Sequence, residues 1–491
     1  MMRRVGAEKL NAGSRGGGGL VTNKWAIFSL VAVGVFMSTL DSSIVNIALP
    51  VIMSDFSVPL ITIEWVVIIY LLTVSSLLLS FGRLSDIKGR RWVYSRGILI
   101  FSMGSLLCGI ASGALWLIVS RAFQGIGAAM IMACSPALVV DIFPPNERGK
   151  AIGMIGTIVA AGLTTGPALG GFLLDQFSWR SIFYINVPIG VVTGLIAFRL
   201  LRGGKADIVR VEPFDFTGAF MLILCFCTFL FALTHAYDWG LLSVRCLSMF
   251  AGSLLSAVLF FRMERRTDHP IFDPLVLKVR LFAMPILAGA IMFAALFTIV
   301  FLMPFYLIHP GGFPVDQAGY MMVIPFVVLF IVSPISGTIS DRIGSRLLCT
   351  LGMMILTVSL VSLSRIGPNT PVLSIAWRLI LAGIGTSVFL PPNSSAAMSA
   401  LPANCRGIAS GTVATARNVG MVIGVALAGL VFNSVFRYLS GGLTLTVYGP
   451  ELEPFFMSAF KFAMLAGSSV AGLGVIVAFL RGSDNRQVKT R

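Results

Sequence analysis

Long apolar blocks separated by short polar turns dominate this chain. Blocks of about 20 residues, the length that crosses a bilayer, fall at roughly 24–47, 62–81, 93–112, 115–139, 151–174, 179–201, 216–235, 241–261, 282–307, 318–338, 347–364, 372–398, 407–434 and 456–480. Backbone polar groups must be paired inside lipid, so each block is predicted to be a helix. The pattern therefore predicts an all-α integral membrane protein with 14 transmembrane helices.

The polar turns are as informative as the blocks. GRLSDIKGRR at 82–91 has a weaker echo in GTISDRIGSR at 337–346. Arg121 and Arg378, Arg148-Gly149 and Arg406-Gly407, and Gly162/Gly166 and Gly420/Gly424 repeat at nearly the same separation. Six spans at 24–201 thus match six at 282–480. The two spans in 202–281 belong to neither set and read as an inserted hairpin between charged linkers. Residues 1–23 are rich in Gly and Arg and read as a disordered N-terminal segment rather than a signal peptide. Residues 481–491 read as a short tail. Internal repeats of this kind are how many transporters are built, with the substrate site between the halves.

Charge then orients the chain. The formal net charge is +16, and charged residues make up only 11% of the sequence against 57% hydrophobic. Most Lys and Arg fall on the side that carries both termini. Only Arg180, Arg245, Arg365, Arg437 and Lys461 fall on the other side. That asymmetry predicts cytoplasmic termini and an even number of spans. It also turns the basic balance toward lipid headgroups and away from nucleic acid. His235, His269 and His309 are scattered and the seven cysteines lack ligand spacing, so no metal site is expected. No GxxxxGK[ST] loop is present, which removes an ATP-driven pump.

Candidate chemistry sits where polar residues interrupt the blocks. Asp41 is read as the only carboxylate deep in a span, and such residues are functional by default. A carboxyl group taken out of water favours its neutral form, which suits proton loading and release. The alternative is a fixed hydrogen-bonded strut. Arg121 lies in the fourth block with Gln124 one turn later on the same face. It is expected to face the cavity, as part of proton transfer or as a clamp between helices. Gly162, Gly166, Gly170 and Gly171 line one helix face for close packing, and Pro167 removes a helix hydrogen bond. Gly82 and Gly89 permit a tight turn, and Arg90 is placed to pair with Asp141. This turn is either a latch or a solvated basic loop. Ser345 stands where a second Arg90 would be, and no acid matches Asp141, so the turn at Asp341 is the weaker copy.

LDSSIVNIALP at 40–50, GRLSDIKGRR at 82–91, LIVSRAFQGIGAA at 117–129, GLTTGPALGG at 162–171 and WRSIFYINVPIG at 179–190 occur in this order. With these motifs the chain resembles the fourteen-span drug:proton antiporters of the major facilitator superfamily, the EmrB/QacA type, over nearly its whole length. The resemblance implies two six-helix bundles rocking about a central site in a bacterial inner membrane. It implies proton coupling through Asp41 and Arg121. It implies a cytoplasmic latch at Gly82, Asp86, Gly89, Arg90 and Asp141, and an antiporter gasket at Gly162, Gly166, Pro167, Gly170 and Gly171. The expected activity is proton-driven export of hydrophobic or amphipathic compounds, with no cofactor and no enzymatic chemistry. Export or uptake of one endogenous metabolite is the alternative. The partners expected are a small-molecule substrate, protons and lipids; a periplasmic adaptor and the oligomeric state are left open. Candidates to line an apolar pocket are Phe36, Met37, Trp65, Phe123, Gln124, Phe293, Phe297 and Phe389. Arg417 either meets an anionic substrate group or, by slight preference, snorkels to the cytoplasm.

Overall fold

A computed structural model describes residues 24–144, 147–200, 215–240, 242–267, 274–402 and 406–482. The segment read above as a disordered N-terminus lies outside the described residues, as do 201–214 and 268–273 of the linkers and most of the C-terminal tail.

The helices are α1 (Lys24–Phe56), α2 (Leu60–Lys88), α3 (Arg90–Gly109), α4 (Ala114–Ile142), α5 (Arg148–Gln176), α6 (Ser181–Tyr184) and α7 (Asn186–Leu200), then α8 (Phe216–Trp239) and α9 (Val244–Glu264), then α10 (Arg280–Ile308), α11 (Val315–Ile343), α12 (Ser345–Leu363), α13 (Val372–Ser399), α14 (Arg406–Leu439) and α15 (Glu453–Leu480). Among the described residues, 13 segments are long and apolar enough to cross a membrane, α6 and α7 together forming one. Helix α3 is the fourteenth of spanning length. Its 20 residues begin with Arg90, Arg91 and Arg96, which dilute its apolar character.

Two six-span bundles form, with α8 and α9 as an inserted hairpin. Within the first, α1 packs on α5, α2 on α4 and α3 on α4; the second repeats this as α10 on α14, α11 on α13 and α12 on α13. The halves meet along α5–α11 and α2–α14, and the hairpin leans on α14 and α2. Side-chain caps start both hairpin helices, Asp215 accepting from the Gly218 amide at 2.8 Å and Ser243 from the Cys246 amide at 3.2 Å.

The repeat is visible in backbone detail. Gly89 joins α2 to α3 at φ 96°, and Gly344 joins α11 to α12 at φ 87°. Both lie where side chains with a Cβ are strained, so both copies of the turn need glycine. These turns mark one end of the molecule, hereafter the basic end. At the opposite end the halves are in backbone contact. A Cβ on Gly319 of α11 would lie 2.6 Å from the Pro167 carbonyl oxygen and 2.9 Å from the Gly171 Cα. No described residue comes within 4 Å of a Cβ on Gly153 or Gly156, nearer the basic end of α5. The closest approach along this seam is therefore at the end away from the basic turns.

Candidate functional site

Asp41 lies midway along the 33-residue α1 and is fully buried. Its carboxylate is enclosed by four other helices. Arg121 of α4 forms a short ion pair to Asp41 Oδ2. Gln124 Nε2, one turn further on α4, donates to Asp41 Oδ1 at 2.8 Å, and Asn186 Nδ2 of α7 donates to the same oxygen at 3.2 Å. Gln124 is held in turn: its Oε1 accepts from Arg121 Nη1 at 2.7 Å, and its Nε2 donates to Ser105 Oγ of α3 at 2.7 Å. Arg121 Nε donates to the Val66 carbonyl of α2 at 3.1 Å, and the guanidinium lies 4.0 Å from the centre of the Tyr70 ring. Both charges are therefore paired and hydrogen-bonded, the arrangement that makes a buried ion pair tolerable.

Local sequence explains the reach of Asn186. Pro188 has no N–H to offer the Tyr184 carbonyl one turn back, and the helix breaks between α6 and α7 at Ile185. Asn186 thereby opens α7, where its side chain can point inward. It falls in the WRSIFYINVPIG motif, which by itself does not mark its role. A lone amide in an apolar span is a weak signal until its partner is known.

A cleft lies where the halves meet, lined by Ser38, Thr39, Ser42, Tyr70, Arg417 and Asn418 among others. It holds about 20 Å³, room for about one water molecule. Tyr70 also touches the buried network: its ring covers Arg121 and its hydroxyl donates to the Ser38 carbonyl at 2.9 Å. Tyr70 is thus the wall between cleft and ion pair. A second cavity of about 220 Å³ lies between the hairpin and the α2–α14 seam, lined by residues such as Leu72, Ser75, Cys225, Phe229 and Val422.

Several expectations change. Arg121 does not face the cleft; its carboxylate partner draws it into the first bundle. Gln124 is likewise inside the network. Met37, Phe293, Phe297 and Phe389 are buried in the packed core. The Trp65 ring turns to Phe231 and His235 of the hairpin. Phe36 and Phe123 are half-buried, and neither lines the cleft. Of the residues proposed for the pocket, Arg417 lines it. Its position favours the cleft over the cytoplasm, because Arg417 lies 11 residues into α14, about 16 Å from its start, and its buried Nε has no partner among the described residues. The lining is more polar than expected, because Phe293, Phe297 and Phe389 pack in the core and Trp65 packs on the hairpin instead. Nor is Asp41 the only deep acid. Glu64 of α2 is only 1% exposed. Its place near the start of an apolar block hid this, since an acid there reads as interfacial.

At the basic end, Arg90 Nη1 contacts Asp141 Oδ1 at 2.6 Å and Arg90 Nη2 contacts Asp86 Oδ1 at 3.0 Å. All three residues are partly exposed and belong to the first bundle. Gly82 lies one turn before Asp86 on α2, and its carbonyl accepts from Ser85 Oγ at 2.7 Å. In the second copy Asp341 is exposed, and Arg481, from the end of α15, donates to Ser345, the residue in Arg90's place. On α5, Gly162, Gly166 and Gly170 let α1 approach, while Gly171 meets Asp316 and Gly319 of α11. Gly420 and Gly424 repeat the first two contacts, against Ala290 and Ala294 of α10.

Two pseudo-repeated helical bundles around a central cleft, with a buried charge network beside it, define a membrane transporter. The chain matches the Major Facilitator Superfamily over residues 31–425 and belongs to it. It is 34% identical over 417 residues to the riboflavin transporter RibZ of Clostridioides difficile, covering 84% of this chain and 90% of that protein. It is 33% identical to the multidrug resistance protein Stp of Mycobacterium tuberculosis, covering 83% and 76%. It is 30% identical to multidrug resistance protein 3 of Bacillus subtilis, covering 84% and 80%. The fold resembles a bacterial homolog of the human lysosomal transporter Spinster in an inward-facing, unoccupied conformation. The TM-score is 0.68 at 15% identity, over 94% of this chain and 98% of that one.

Proposed function

We propose that this transporter is a proton-coupled exporter of amphipathic small molecules, of the fourteen-span drug:proton antiporter type. It resides in a bacterial inner membrane with the basic end and both termini cytoplasmic, and needs no cofactor beyond the proton gradient. The observation that carries this reading is the Asp41–Arg121 pair, one ring away from the cleft. An ion pair sealed in the bundle is a poor substrate ligand but a good proton relay. Protonation of Asp41 frees Arg121, and the Tyr70 ring that rests on Arg121 transmits the change to the cleft wall. The multidrug resistance proteins among its relatives support export of drugs.

The test is efflux in everted vesicles under an imposed pH gradient. The parent is expected to move substrate and protons in opposite directions, and Asp41→Asn to lose proton-driven transport. Normal pumping by Asp41→Asn would refute the coupling role.

A second reading has its own observation. Arg417 Nε, Asn418 Nδ2 and Thr415 Oγ1 are buried without hydrogen-bond partners among the described residues, and Arg417 and Asn418 line the cleft. Such groups suit one polar, acceptor-rich metabolite, in keeping with the riboflavin transporter among the relatives. Accumulation of a single compound on deletion, without loss of drug tolerance, would favour it.

A further inference from the structure

Glu64 lies at the seam of the two halves, five residues into α2, and its surface is 1% exposed. Its Oε2 has no hydrogen-bond partner among the described residues. It projects across the seam, for a Cβ on Gly429 of α14 would lie 2.7 Å from Glu64 Cδ. Glycine at 429 leaves the space that the carboxyl group fills. One turn further along α14, Asn433 Nδ2 is also buried and without a partner. The seam is closed above Glu64 by the second half, where the Leu60 amide donates to the Leu445 carbonyl at 3.1 Å.

Among the described residues, no neighbouring charge compensates the carboxyl group. On α1, Asp41 is paired with Arg121, and Asp55 is taken by Arg180 and Trp179. Arg121 of α4 gives its remaining bonds to Gln124 and the Val66 carbonyl. On α8, His235 stacks against Phe231 and contacts Trp65. On α14, Arg437 is exposed two turns beyond Gly429, and Arg417 is three turns back toward the basic end. The basic residues of α3 are at the basic end. A buried, unpaired carboxylate is severely disfavoured, and a neutral acid is not.

We propose that Glu64 is a second proton-binding group, placed at the outer gate. It is neutral while α2 and α14 meet at the end away from the basic turns, and it ionises when they part and water reaches it. Proton uptake from outside therefore locks that end shut. The inference rests on alternating access, but not on Asp41 as the coupling group.

The test is the spacing between spin labels at Ser57→Cys and Thr444→Cys in reconstituted protein, with the seven native cysteines replaced. In the parent, the widely spaced population is expected to grow as pH rises. Glu64→Gln, which cannot ionise, is expected to lose that shift and stay closely spaced. A parent without the shift, or a Glu64→Gln protein that retains it, overturns the proposal. Infrared difference spectra decide the case in which Glu64→Gln fails to fold with labels. A neutral-carboxyl band in the unlabelled parent must disappear in Glu64→Gln and persist in Asp41→Asn; its absence from the parent, or its survival in Glu64→Gln, overturns the proposal.

Discussion

Arg121 holds four partners at once: Asp41, Gln124, the Val66 carbonyl and the Tyr70 ring. Its planar fork serves several acceptors at once, which a lysine cannot reproduce. Arg121→Leu would leave Asp41 buried and uncompensated, and is expected to cost about 3–5 kcal/mol of stability. Arg121→Lys should cost less yet still impair transport. Thermal unfolding in detergent, read beside vesicle efflux, separates the two effects. Outside the spans, burial pushes the His309 imidazole from its ordinary 6.5 down to about 4. The ring stacks on Tyr448, with centroids 4.9 Å apart. The folded protein holds this histidine neutral while the unfolded chain protonates it below 6.5. Its stabilising contribution is thus complete above 6.5 and is lost as pH falls toward 4. The melting temperature should drop over that interval, and the drop should be shallower in His309→Phe.

At the level of elements, the charged turns and the glycine seam make separate predictions. The turn between α2 and α3 is tied to α4 through Arg90 and Asp141, whereas Asp341 is in no ion pair among the described residues. Asp86→Asn is therefore expected to abolish transport and Asp341→Asn to reduce it less. Equal losses in a vesicle assay would reject the asymmetry. The seam between α5 and α11 depends on bare backbone at Gly171 and Gly319. Gly319→Val should force the helices apart, cost about 1–3 kcal/mol and make the end away from the basic turns leak. Proton leak into proteoliposomes without substrate measures this directly. These motifs were legible because glycine spacing and a charged turn each constrain their own helix. Glu64 and Asn186 were not, because their meaning depends on which helix lies opposite.

For the whole molecule, the repeat recognised from landmark residues reappears as repeated packing: α1 on α5 and α10 on α14, with a positive-φ glycine at each basic turn. The chemistry is not repeated. The first half has Asp41 beside Arg121. In the second, α10 carries no acid, and Arg378 instead donates to the Ser362 and Ser374 carbonyls, at 3.0 and 2.6 Å. One half therefore supplies the charge network, while the other supplies Arg417 and Asn418 to the cleft. The inserted hairpin is not a loose appendage, since α8 packs on both α2 and α14, the two helices of the seam that holds Glu64.

Span number, the two-fold repeat, the inserted pair and the polar residues inside spans all followed from the sequence, because lipid forces each apolar block to satisfy its own backbone. Which polar groups meet was decided by tertiary packing. Helix rotation and approach set the partner of each side chain, and block boundaries say nothing about rotation. That is why Phe293, Phe297 and Phe389 fill the core, why Arg121 faces Asp41 instead of the cleft, and why Glu64 is buried at the seam.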